Sequence, residues 1–150
     1  IIGEKSALGN LQKFCEKYAA SNVLLLPFQP REKFPETLAA ADVGLVVQKK
    51  RVTAFNMPSK IPVLLACGRA IVASVPETGT AMKAIEKSGG GVVVPPEDAD
   101  ALSATIMELY KNPEKVEALG RQGRKYAEEN YALEAALNRY EALFAEIANR

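Results

Sequence analysis

Phe55-Asn56-Met57-Pro58-Ser59-Lys60 is the stretch of this 150-residue sequence whose residue types could do the most chemistry. It leaves a basic, irregular segment and enters a helix through a serine and a lysine. The start of a helix leaves backbone N–H groups without partners and carries partial positive charge. A serine hydroxyl beside them can donate to a phosphate oxygen, and Lys60 adds a full positive charge at the same place. Such a corner can seat a diphosphate. A plainer account, a serine N-cap followed by a solvated lysine, fits the same residues. Residue chemistry alone favours that account, because such caps are common.

Other candidates are weaker. Lys49-Lys50-Arg51 precedes the same helix and could attract an anion, but reads first as a solvated loop. Gly89-Gly90-Gly91 could cradle phosphate. It stands at a helix end and leads into a strand, so a helix stop and a tight turn explain it more simply. It also lacks the following helix that a dinucleotide fingerprint requires. Gly3-Glu4 follows a strand, where Gly3 permits close backbone approach. Phe28-Gln29 follows the next strand, and Phe28 can flank a base or belong to the core. Glu77 can accept from sugar hydroxyls or stay in solvent. Glu97-Asp98 suits a helix start and Glu128-Glu129 an exposed helical face.

Composition removes several classes. Nineteen basic and eighteen acidic residues give a net charge of +1, which offers no footprint for nucleic acid. No apolar run approaches the roughly 18 residues of a membrane helix. Cys15 and Cys67 are too few for a metal cluster or disulfide framework and read as reduced thiols of a cytoplasmic protein. The sequence has no histidine, so an imidazole base would have to come from elsewhere.

The elements that must position these residues alternate between apolar β-branched runs and helical patterns. Strands are expected at Ile1-Ile2, at 22–28 (NVLLLPF), at 42–47 (DVGLVV), at 70–75 (AIVASV) and at 92–94. The runs at 22–28 and 42–47 read as buried on both faces. Helices are expected over 8–18, 34–41, 59–66 with Gly68 as its stop, and 80–87. A helix over 99–110 is capped by Asp98, and another opens at Asn112-Pro113-Glu114. The last helix carries Leu133, Leu137, Tyr140, Phe144 and Ile147 on one face. This order predicts a doubly wound, Rossmann-like α/β/α parallel sheet forming one domain, with ligands at the carboxyl ends of its strands.

Taken in order, "VLLLPFQPREKFPETLAAADVGLVV", "MPSKIPVLLACGRAIVAS", "PETGTAMKAIEKSGGGVVVPPEDADALSATIMELYKNPE" and "LGRQGRKYAEENY" resemble the C-terminal domain of the retaining GT-B glycosyltransferases of group 1. The MPSK-to-ACGR stretch is most similar to the colanic-acid-type branch. The resemblance implies a nucleotide-sugar site without a metal or other cofactor. Ser59 and Lys60 would lie at the diphosphate, with Met57 and Pro58 lining the same pocket. Phe28 and Gln29 would lie near the nucleobase, and Gly3 and Glu4 at the inner edge of the cleft. No catalytic residue is assigned within this segment. Many members of the family carry two glutamates eight positions apart; here those positions are Phe55 and Val63.

The resemblance also implies a βα unit before Ile1 and an N-terminal acceptor-binding domain, so the segment is expected to be part of a two-domain enzyme. A parallel sheet short of one strand exposes apolar area, at about 25 cal/mol per Å². The isolated segment is then expected to be less stable than its parent, or to pair that edge with a copy of itself. The expected activity is sugar transfer from a UDP- or GDP-sugar to a saccharide or lipid-linked acceptor in polysaccharide or cell-envelope synthesis. It would be cytoplasmic, with any peripheral membrane contact made by the other half. A GT-B-fold epimerase and a non-catalytic nucleotide-binding module remain as alternatives.

Overall fold

The computed structural model describes residues 1–52 and 55–148. The irregular segment expected from Gln48 to Pro58 therefore lies outside the described residues at positions 53 and 54. The chain divides into two compact units, one of residues 1–37 and one from Leu38 onward.

In the first unit, β1 (Ile2–Gly3) leads into α1 (Lys5–Lys17), β2 (Leu26–Pro27) and a 3-10 turn (Arg31–Lys33). The two strands are parallel, with Ile2 opposite Leu26 and Gly3 opposite Pro27. The backbone nitrogen of Ile1 donates to the Leu24 carbonyl at 2.7 Å, and the Leu26 N–H to the Ile1 carbonyl at 2.9 Å. The strand expected over 22–28 is thus only two residues long. Nor is it buried on both faces: Leu24 is 67% and Phe28 71% exposed. A strand pairs only as far as its partner extends, and β1 offers two residues. The apolar stripe of α1 forms as expected, with none of its residues fully buried.

α2 (Phe34–Ala39) precedes β3 (Val43–Val47), α3 (Lys60–Ala66), β4 (Ala70–Ser74), α4 (Thr80–Ser88) and β5 (Gly91–Val94). Three helices follow: α5 (Ala99–Tyr110), α6 (Pro113–Asn130) and α7 (Leu133–Ala148). The strands form a parallel sheet in the order β3-β4-β5. All five residues of β4 are buried. Side chains alternate across a strand, so both faces of β4 are covered. Helices α3, α4, α5 and α6 all contact it. The core joins Ile61, Leu64 and Leu65 of α3 with Ile71 and Ala73 of β4 and Ala81, Ala84 and Ile85 of α4.

β3 departs from the expectation of a fully buried strand. Gly44 and Val46 are buried, whereas Leu45 and Val47 are 45% and 63% exposed. α3 packs on the face of β3 that carries Gly44 and Val46, and the alternate side chains, on the opposite face, lack such cover. Gly44 faces α3 so closely that a Cβ there would come within 2.5 Å of the Leu64 methyls. The apolar face of α7 also forms as read, but Leu133, Leu137, Tyr140, Phe144 and Ile147 are all exposed.

Helix ends follow the local signals. Asp98 Oδ1 accepts from the Ala101 N–H at 2.9 Å, and Asn112 Oδ1 from the Lys115 N–H at 3.2 Å. Gly68 and Gly89 end α3 and α4 with φ of 64° and 58°, the left-handed region where glycine avoids a Cβ clash. Asp98→Ala and Asn112→Ala are each expected to lower stability by about 1 kcal/mol. Urea unfolding checks this as a lower midpoint at unchanged slope.

Candidate functional site

The three strands of the second unit end together, and the ladder continues past them. The Gln48 N–H donates to the Ser74 carbonyl at 2.9 Å, and the Val75 N–H to the Val94 carbonyl at 3.3 Å. The Ser74 hydroxyl donates to the Pro95 carbonyl at 3.2 Å. This carboxyl rim is where an open α/β sheet receives ligands. At its β3 end lies a cavity of about 260 Å³, lined by Val46, Val47, Gln48, Asn56, Pro58, Ser59 and Lys60.

Ser59 occupies the N-cap position of α3 but makes no side-chain capping bond. Its φ and ψ, −59° and −19°, are already helical, whereas a capping side chain needs extended backbone to reach back to the helix N–H groups. The plain account of Ser59 as a side-chain cap therefore does not hold. The first helical bond runs from the Ile61 N–H to the Pro58 carbonyl at 3.0 Å. Among the described residues, the N–H groups of Ser59 and Lys60 have no backbone partner. Lys60 has no ion-pair or side-chain hydrogen-bond partner among them either. Both residues are exposed. The corner thus offers amides, a hydroxyl and an ammonium that no other described group occupies. Met57 packs partly buried against the core, anchoring the segment that delivers Pro58, Ser59 and Lys60 to the cavity.

The remaining expected residues belong to the first unit. Gly3 closes β1 and Glu4 is the N-cap of α1, again without a side-chain bond. Phe28 and Gln29 come directly after β2, and Gly3 stands opposite Pro27 in the register. These four therefore share the carboxyl end of the β1-β2 pair. The Gln29 side-chain amide turns back to donate to the Pro27 carbonyl at 2.9 Å.

The triple glycine is structural. Gly89 caps α4, Gly91 lies in β5, and Gly90 packs so closely on α6 that a Cβ there would meet the Gly123 Cα at 2.8 Å. Glu77 is exposed, and Lys49, Lys50 and Arg51 are solvated. Among the described residues, no three His, Cys, Asp or Glu side chains converge on a point that could hold a metal ion. No described helix is long and apolar enough to cross a membrane.

A larger groove, about 1020 Å³, runs along the amino-terminal end of β3 past α5 and α6. Its arginines are already engaged. Arg69 donates to the carbonyls of Cys67, Ala39 and Ala41; Arg121 pairs with Glu117; Arg124 pairs with Glu128 and donates to the Ala66 carbonyl. Size favours this groove, but its place at the amino-terminal end of the sheet and its engaged arginines make the smaller cavity the better anion site. Gln48, which also lines that cavity, carries no signal in the sequence that would single it out. A neutral amide at a strand end has neither charge nor periodicity to mark it.

A model of the family "Glycosyl transferases group 1" matches residues 1–126. The chain is 28% identical over 141 residues to a protein of Escherichia coli (strain K12) named as the colanic acid biosynthesis glycosyl transferase WcaI. That match covers 93% of this chain and 34% of the relative. It is 28% identical over 135 residues to the GDP-mannose-dependent alpha-(1-6)-phosphatidylinositol monomannoside mannosyltransferase of Mycolicibacterium smegmatis (strain ATCC 700084 / mc(2)155), covering 87% of this chain and 35% of that one. The chain therefore spans about a third of the length of these relatives. Among solved structures, Anabaena HepE in complex with UDP superposes with a TM-score of 0.77 at 19% identity, covering 96% of this chain and 40% of HepE. The fold is accordingly the Rossmann-like α/β arrangement of parallel strands with flanking helices.

Proposed function

The chain belongs to the group 1 glycosyl transferases, and from that premise we propose that it is the donor-binding part of a longer enzyme. In this reading a nucleoside diphosphate sugar binds at the carboxyl rim. Its diphosphate lies against the start of α3, where Ser59 and Lys60 hold it beside Pro58 and Met57. Gly3, Glu4, Phe28 and Gln29, at the carboxyl end of the β1-β2 pair, are the donor-binding candidates of the first unit. The remaining length of the enzyme binds the acceptor. Negative charge grows on the diphosphate as the glycosidic bond breaks. Unpaired amides and an ammonium already aimed there stabilise it without reorganisation.

The observation that carries this reading is the open corner itself: Ser59 uncapped, Lys60 unpaired, both lining a cavity at the end of β3. The Anabaena structures with UDP and UDP-glucose support a nucleotide-sugar donor. The mycobacterial relative's name makes GDP-mannose a candidate beside UDP-sugars. The Escherichia coli relative's name, with its colanic acid biosynthesis, supports a role in polysaccharide synthesis; in this reading the enzyme works in the cytoplasm, and any peripheral contact with the inner membrane is made by its other half.

The test is the double variant Ser59→Ala/Lys60→Met. Losing a hydroxyl and a charge-assisted hydrogen bond is expected to weaken UDP or GDP binding by about ten- to a hundredfold. Calorimetry reads this directly, and unchanged affinity for both nucleotides rejects the assignment.

A further inference from the structure

We propose that Gln48 is a positioning residue for the diphosphate corner, fastening the end of β3 to the segment that feeds α3. This inference rests on the reading of that corner given above. Gln48 is the first residue beyond β3. Its backbone N–H donates to the Ser74 carbonyl at 2.9 Å, which holds it in the ladder beside β4. Its side-chain Nε2 donates across eight residues to the Asn56 carbonyl at 3.5 Å. One end of this link is therefore set by the sheet. The other end is set on the return segment, two residues before Pro58.

The residues after Asn56 transmit that position. Met57 is held against the core. Pro58 has a φ fixed by its ring, and its carbonyl receives the first bond of α3, from the Ile61 N–H at 3.0 Å. Ser59 and Lys60 come next. With only seven residues, α3 is too short to set its own entry by helix propensity. Its start goes where the incoming segment and the core hold it. Gln48, Asn56, Ser59 and Lys60 line one cavity, so a shift at the link moves the groups that would meet a phosphate.

The link is long and partly solvated, and its expected worth is that of one modest hydrogen bond. In the full-length protein, Gln48→Met keeps the reach of the side chain and removes the donor. UDP and GDP are expected to bind about three- to tenfold more weakly. Uridine and guanosine, which lack the diphosphate, are expected to bind as before. Gln48→Glu also removes the donor and sets a negative charge in the cavity that Lys60 lines. It is expected to weaken the diphosphates further, by an amount that shrinks as salt rises. A residue that only supported the fold would not separate diphosphates from nucleosides.

Calorimetry for the diphosphates, ligand-observed NMR for the nucleosides and a thermal melt of each variant decide the matter. A loss confined to the diphosphates, at a Tm close to the parent's, supports the positioning role. No loss in either variant overturns it, and so does an equal loss for diphosphates and nucleosides accompanied by a fall in Tm. If Ser59→Ala/Lys60→Met abolishes binding while both Gln48 variants bind normally, the corner stands and the positioning role falls. If the double variant itself binds normally, the corner is misassigned and this inference goes with it.

Discussion

Gly120→Val is expected to lower the stability of the second unit by about 4 kcal/mol or more. Gly120 lies within α6, and an added Cβ would overlap the carbonyl oxygen of Gly68. That oxygen cannot easily yield. Gly68 is held in the left-handed region by the end of α3, and its N–H donates to the Leu65 carbonyl at 2.9 Å. The next residue, Arg69, is tied to the carbonyls of Cys67 and Ala41 at 3.0 Å each. Helix propensity pulls the other way, since alanine is favoured over glycine by about 1 kcal/mol. Overpacking costs about 1–3 kcal/mol for small additions, so Gly120→Ala is expected to be a net loss. Valine adds two branched carbons against the same backbone. Its cost of about 4 kcal/mol or more approaches a small domain's whole stability of about 5–15 kcal/mol. Gly9 provides the control. It lies in α1, and a Cβ added there would meet nothing within 4 Å, so Gly9→Ala is expected to stabilise slightly. Circular dichroism melts of the three variants check the contrast. A Gly120→Ala protein stabilised like Gly9→Ala would show that α6 does not press on Gly68.

This contact shows where sequence reading stops. The element order was legible because apolar runs, caps and glycine stops are local. Asp98, Asn112, Gly68 and Gly89 do what their types predict. Burial depends on neighbours that a local pattern does not name. AIVAS and DVGLVV look equally apolar, yet β4 is central and buried throughout, while β3 is an edge strand with Leu45 and Val47 in solvent. NVLLLPF reads as a core strand, but its partner supplies only two residues of ladder. Gly120 and Gly123 look like weak points in a helix until the sheet end beneath them is known. There, a Cβ on Gly123 would meet the Leu65 side chain at 2.7 Å and the Gly90 Cα at 3.2 Å.

The candidate site was legible in its charged and hydroxyl residues and illegible in what holds them. A serine and a lysine at a helix start carry a type-specific signal. That the Ser59 hydroxyl makes no capping bond goes with a helical φ and ψ that the residue type does not announce. Gln48 acquires meaning only when the chain returns to it at Asn56.

Leu65→Ala is expected to cost about 3–5 kcal/mol, the range for a leucine removed from a site that cannot collapse. Leu65 is fully buried and lies four residues from the equally buried Ile61, one turn along the same face of α3. Its methyls fill the space where Gly90 and Gly123 approach, and backbone on either side leaves little room for that space to close. The variant also separates fold from site. A ligand bound only by the folded state stabilises it by about 2.7 kcal/mol at a hundred times its Kd. Leu65→Ala removes an anchor at the far end of α3 and leaves Ser59 and Lys60 intact. Its urea midpoint is expected to fall at unchanged slope, while saturating UDP or GDP still raises the midpoint by the parent's increment. Ser59→Ala/Lys60→Met is expected to do the reverse, keeping the parent midpoint and cutting the increment to about 0.4–1.4 kcal/mol at the same ligand concentration. A Leu65→Ala cost below about 1 kcal/mol would mean that α3 is held elsewhere. A full ligand increment in the double variant would move the diphosphate away from the end of β3.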